Sequence, residues 1–142
     1  MNNEPNSCQY DATDAEVSQL RAGLDAFNTR QTGRDDFQAL KVVLRDAGGQ
    51  MVAGLIGQTG WDWLYIEVVW VHEDRRGQGL GTRLMEAAEE MARQRGCSGA
   101  CLSTFSFQAR PFYERREYRV FGQIEDYPRG HTMYFMQKQL RA

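Results

Sequence analysis

Cysteine and proline are scarce in this chain, with three of each among 142 residues. Cys8, Cys97 and Cys101 make an odd count without metal-ligand spacing. That argues against a disulfide framework or a metal cluster, and for reduced thiols in a reducing compartment. No apolar run approaches the roughly 20 residues of a membrane span. Met1 to Ser7 is polar and lacks the basic and apolar regions of a signal peptide, so the expected location is cytoplasmic. A formal net charge of -2 gives no general attraction to nucleic acid or to an anionic membrane. Internal repeats, low-complexity segments and linkers are missing as well. What remains is an ordinary globular composition, 42% hydrophobic and 25% charged, expected to form one domain over residues 1–142.

Most of the chain divides by hydrophobic period. Cys8 to Thr13 has weak strand character. Asp14 to Asn28 reads as a helix with Val17, Leu20, Leu24 and Phe27 on one face, and Thr13 or Asp14 can cap it. Thr29 to Asp36 is polar and reads as a loop or short turn of helix. Phe37 to Arg45, Met51 to Gln58 and Trp63 to Val71 follow as strands, the first two joined by the hairpin turn Asp46-Ala47-Gly48-Gly49. Leu80 to Arg95 is an amphipathic helix with Leu80, Leu84, Ala87, Ala88 and Met91 at helical spacing, Glu86, Glu89, Glu90 and Arg93 on other faces, and Gly96 to end it. Ala100 to Phe105 is a strand, Ala109 to Arg116 a short helix with Pro111 near its start, and Arg119 to Ile124 with His131 to Leu140 a final strand pair. The expected fold is α/β: a mixed sheet with an antiparallel N-terminal meander, a central parallel β-α-β crossover and a C-terminal antiparallel hairpin.

The stretch from Trp63 to Arg95 holds the chemistry. Leu64, Ile66 and Val68 keep one alternation, whereas Val69 and Val71 keep the opposite one. A β-bulge between Val68 and Val69 produces such a slip; a strand buried on both faces also gives a continuous apolar run. Gly77, Gly79 and Gly81 then lead into the helix, next to Arg75 and Arg76. Glycines at a helix start let backbone N–H groups approach an anion, although the same spacing serves a tight packing turn. Thr82 stands where a dinucleotide fingerprint needs Gly or Ala, and no Gly-Lys-Ser/Thr follows, so neither common phosphate loop fits.

Arg76-Gly77-Gln78-Gly79-Leu80-Gly81 resembles the Arg/Gln-x-x-Gly-x-Gly/Ala signature of the GNAT superfamily of acyl-CoA-dependent N-acyltransferases. Ala109-Arg110-Pro111-Phe112-Tyr113-Glu114 is similar to that family's Ala-x-x-Phe-Tyr-Glu segment, and the order of elements agrees from about Tyr10 onward. The resemblance implies a GNAT-type sheet with a bulged central strand, and an N-acetyltransferase that moves an acetyl group from acetyl-CoA to a primary amine by direct attack. It implies that Gln78 to Thr82, with Arg76 and Gly77, meet the CoA pyrophosphate, and that Val69, Trp70 and Val71 pair with the pantetheine arm. Tyr113 matches the family's general acid. Glu67, on the strand lining the acceptor cleft, can serve as base or stand as a solvated strand residue. No metal is expected, the acceptor is a small-molecule or side-chain amine, and homodimers are common in the family.

Two departures from the family pattern stand out. Glu117 precedes Tyr118 where glycine is usual, so the turn after the tyrosine helix is made otherwise or the helix runs longer. Gln108 replaces an asparagine that contacts CoA in the family. His131 is a second candidate base. Trp61, Trp63, Tyr65 and Tyr127 are candidate walls of an acceptor pocket, with Asp62, Glu67, Glu125 and Asp126 suited to a cationic amine. The alternative from a different class is a non-catalytic acyl-CoA-binding module; a nucleic-acid-binding domain is disfavoured by the negative charge and missing basic face.

Overall fold

The computed structural model describes residues 4–141. They fall into two compact units divided between Asp35 and Asp36. The first contains helix α1, Asp14–Thr32, which starts with a capping box: Thr13 Oγ1 accepts from Glu16 N at 3.1 Å and Glu16 Oε1 accepts from Thr13 N at 3.0 Å. It stops at Gly33, whose φ of 71° and N–H to Thr29 O close the last turn. α1 extends four residues beyond the apolar stripe, because polar Thr29 to Thr32 still supply backbone hydrogen bonds. The weak strand expected over Cys8 to Thr13 does not form.

The second unit is a six-stranded sheet with two α-helices and a short 3-10 turn at Glu73–Arg75. In chain order it contains β1 Gln38–Arg45, β2 Met51–Gly60, β3 Trp63–Val71, α2 Leu80–Gln94, β4 Gly99–Phe105, α3 Arg110–Arg115, β5 Arg119–Glu125 and β6 Thr132–Gln139. The strand order is β1-β2-β3-β4-β6-β5, and β3–β4 is the parallel pair. The mixed α/β fold, the meander β1-β2-β3 and the antiparallel pair β5–β6 agree with expectation. β6 also slots between β4 and β5, so the last strand is central and the one before it forms the edge.

Alternation sorts the side chains. Leu40 of β1, Ala53 and Leu55 of β2, Leu64 and Ile66 of β3, Ala100 and Leu102 of β4 and Met136 of β6 are buried together with Leu84, Met85, Ala88 and Ala92 of α2. Burying a leucine-sized side chain is worth about 1.5–3 kcal/mol, so this face holds the sheet and α2 together. Glu89 departs from its expected polar face on α2 and is 1% exposed. It accepts from Lys138 Nζ at 2.8 Å, Tyr118 Oη at 2.9 Å and an Arg116 terminal nitrogen at 3.1 Å. Two cations and a phenol satisfy the buried carboxylate and tie α2 to β6 and to the segment after α3.

The β2–β3 turn places Trp61 and Asp62 at φ 49° and 71°, as a two-residue hairpin turn requires. The Trp61 ring packs edge-on against Phe37 at 4.7 Å, and its backbone N–H donates to Asp36 Oδ1 at 3.2 Å. Trp63 lies over Gly99, where an added Cβ would come within 2.6 Å of the indole.

Candidate active site

β3 contains a bulge. Its pairing with β2 passes from Ile56↔Val68 to Gly57↔Ile66, leaving Glu67 as the extra residue. The slip falls between Ile66 and Val68, earlier than the alternation predicts, because Glu67 and Val68 are both exposed while Ile66 and Val69 turn inward. Gly57 makes the bulge possible: a Cβ there would sit 2.3 Å from the Tyr65 carbonyl oxygen. Beyond the bulge the sheet opens. β3 pairs with β4 from Trp63↔Gly99 to Ile66↔Leu102 and no further, while β4 continues along β6 to Phe105↔Met133. The second half of β3 therefore keeps β2 on one edge and turns its other edge to a gap. Backbone groups on such an edge need a partner.

A cleft of about 720 Å³ occupies this gap and runs to the start of α2. Val69, Trp70 and Val71 form one side; Arg76, Gly77, Gly79, Leu80, Gly81 and Thr82 form the end; Gln108 and Tyr113 face them. Gly77 and Gly79 adopt φ of 81° and 76° with no atom within 4 Å of an added Cβ, so conformation requires them. Gly81 is needed for close approach instead, since its Cβ would lie 3.2 Å from Phe112 Cζ. Gly79 caps α2, and among the described residues no side-chain cap bonds its first-turn N–H groups. Those orphan donors and the helix dipole favour an anion. The lining adds Arg75, Arg76 and Arg115 and contains no carboxylate. Arg76 also braces the site: its Nε donates to the Val71 carbonyl at 3.4 Å. Arg75 lies 3.7 Å from Asp46.

Tyr113 comes from α3, where Pro111 occupies the first turn. Its ring packs against Phe112 at 5.1 Å and Tyr118 at 6.1 Å, and burial pushes its phenol above the usual tyrosine range. The turn after α3 is made by Glu117 itself, at φ 72°. Gln108 lines the cleft, but its Oε1 accepts from Thr104 Oγ1 at 3.2 Å and Phe105 N at 3.0 Å, bracing the end of β4.

Of the residues singled out in the sequence, Glu67 and Gln78 do not line the cleft; both are exposed, one at the bulge and one at the tip of the glycine turn. Trp61 and Trp63 sit at the opposite end of β3, and Asp62 in the turn beside them, so they are remote from the gap. Tyr65 is exposed on the paired half of β3. His131 shares a hydrogen bond with Ser106 Oγ at 3.2 Å and meets Phe107 edge-on at 4.9 Å. Phe107, Ala109, Phe112 and Arg115 line the cleft without having been singled out. Ala109 and Phe112 lay inside the quoted motif with Tyr113; Phe107 and Arg115 carry no signal beyond proximity to it. Among the described residues, no group of three or more His, Cys, Asp or Glu side chains comes together to hold a metal.

Comparison with known proteins agrees with this geometry. The model of the acetyltransferase (GNAT) family matches residues 8–118. An acetyltransferase of Agrobacterium fabrum is 34% identical over 130 residues, 91% of this chain and 95% of that protein. The blasticidin-S acetyltransferase of Streptomyces morookaense is 43% identical over 93 residues, 65% of this chain and 68% of that enzyme. Among solved structures, an Agrobacterium tumefaciens protein described as an acetyltransferase superposes with a TM-score of 0.86 at 33% identity, covering 94% of this chain and 98% of that one. A Bacillus cereus acetyltransferase gives 0.83 at 28% identity, covering 94% and 97%. With its glycine turn, its opened sheet and these matches, the chain belongs to the GNAT acetyltransferase family.

Proposed function

We propose that the protein transfers an acetyl group from acetyl-CoA to a primary amine by direct attack. The observation that carries this reading is the gap between β3 and β4, which joins a glycine-capped helix start to a buried, neutral tyrosine in one cleft. The N–H groups of Gly79 to Thr82 hold the pyrophosphate, with Arg75 and Arg76 adding positive charge. Val69 to Val71 present a free strand edge to the pantetheine arm, whose amides complete the ladder on that side. When bound, acetyl-CoA supplies an activated acyl group. A backbone N–H of the strand edge polarises the carbonyl towards attack.

The remaining work is proton handling. An alkyl ammonium has a pKa of about 10 and must lose a proton before it can attack. Glu67, exposed at the bulge, is the carboxylate assigned to that step, directly or through water. The departing thiolate takes a proton from the Tyr113 phenol, which burial keeps protonated.

The test is thermal unfolding with acetyl-CoA followed by CoA release across amine classes: polyamines, amino acids, aminoglycosides, protein lysines and blasticidin S. Ligand at about 100 times its Kd stabilises by about 2.7 kcal/mol, giving a rise of several degrees in melting temperature. No rise at saturation removes the donor assignment. A rise without CoA release from any amine supports a non-catalytic acyl-CoA-binding module instead.

A further inference from the structure

The end of β4 and the β5–β6 loop form an aromatic shelf beside the cleft. Phe105 and Phe107 lie nearly parallel, with centroids 5.3 Å apart and planes 14° apart. Phe105 and Tyr127 repeat the relation at 5.7 Å and 18°. Phe107 and Tyr127 remain 55% and 51% exposed, so much of each ring is left to solvent beyond its contact with Phe105. The His131 ring stands at 80° to Phe107 and forms a wall at one side. Ser106 fixes that corner: its Oγ bonds His131 Nδ1 and accepts from Thr132 N at 3.0 Å, and Ser106 N donates to Thr132 O at 2.8 Å.

Position connects the shelf to the transfer cleft. Strand alternation sends Thr104 to the helix-covered face and Phe105 to the opposite one. Phe107 belongs to both, since it also lines the cleft. A substrate resting on the shelf thus approaches the β3–β4 gap from the side away from α2. Aromatic faces also attract the ammonium that an amine substrate carries.

We infer that the amine acceptor bears a flat conjugated ring that stacks on Phe107, the ring of the shelf that lines the cleft, while its amino group reaches the gap. This rests on the acetyl-transfer reading and narrows its acceptor. Parallel rings with open faces discriminate by planarity: a flat π-system gains offset stacking that a puckered ring of equal size does not.

The probes are 2-phenylethylamine and 2-cyclohexylethylamine, which share charge and length and differ in the planarity of the ring. The expected result is a preference of about three- to tenfold in kcat/KM for the phenyl compound, expressed in KM. Phe107→Leu abolishes that preference, and Phe107→Tyr retains it. Equal kcat/KM for the two amines, or a preference that survives Phe107→Leu, overturns the shelf. Saturation-transfer NMR on the CoA-loaded protein separates the two readings, and it needs no variant to fold. Saturation of the phenyl protons with no CoA release from any amine upholds the shelf and sinks acetyl transfer. CoA release from other amines with no saturation of the phenyl ring does the reverse.

Discussion

Tyr113 is held by aromatic neighbours and is 9% exposed, and its burial raises its phenol pKa. A proton donor in that setting affects turnover more than binding. Tyr113→Phe is expected to lower kcat by about 100-fold, within the usual range for a lost acid, with the acetyl-CoA melting shift retained. Steady-state kinetics beside thermal unfolding checks this, and unchanged kcat would remove the assignment. Glu117 presents a different problem. It occupies the left-handed region at φ 72°, where a side chain costs about 1–2 kcal/mol. Glycine relieves that strain but gains freedom in the unfolded chain. Glu117→Gly should therefore raise stability in urea by up to about 1 kcal/mol, and a lower midpoint with an unchanged slope would refute the strain argument. The sequence departure at this position was legible; that the turn keeps the usual geometry with an unusual residue was not.

Among the elements, β3 and the turn after it show how local pattern informs and where it stops. The bounds Trp63–Val71 follow directly from aromatic and β-branched residues. The bulge was legible as a phase slip but displaced, because apolar Val68 points outward and continues the earlier rhythm. The same limit governs α1, where the apolar stripe ends before the hydrogen bonds do. In the glycine turn, Gly79 has room for a methyl group but not the conformation for one. Gly79→Ala should weaken acetyl-CoA binding about tenfold, as the αL penalty of about 1–2 kcal/mol shifts the loop away from its binding shape. Isothermal titration checks it; an unchanged Kd would mean that the loop amides are not the anion's partners.

At the scale of the whole molecule, long-range pairing decided what the sequence could not. No local feature says that β6 inserts between β4 and β5, since strand propensity does not name a partner. Glu89 looked like a surface residue because its partners, Arg116, Tyr118 and Lys138, lie 27 to 49 positions away. The same network shapes the response to alkali. Tyr113 and Tyr118 both have raised pKa values, from burial first and, for Tyr118, from Glu89 as well. Above pH about 10 the unfolded chain releases these phenolic protons while the folded chain keeps them, so unfolding becomes more favourable as pH rises. Melting temperature should fall steadily above pH 10, and Tyr118→Phe should flatten that fall. A slope unaltered by the substitution would place the effect elsewhere.

Glu67 is a single inserted residue in an otherwise regular ladder. Without it, Ile66 would be followed by Val68, Val69, Trp70 and Val71 in strict in-and-out alternation, and Ile56 and Gly57 would face consecutive partners. The difference between an uninterrupted sheet and one that parts beyond Ile66 is then one codon. Deleting Glu67 should let β3 and β4 zip past Ile66 and Leu102, producing a protein that melts no lower than the parent yet is blind to acetyl-CoA. A deletion variant that still gains stability from the donor would show that the opening is held by something other than the bulge.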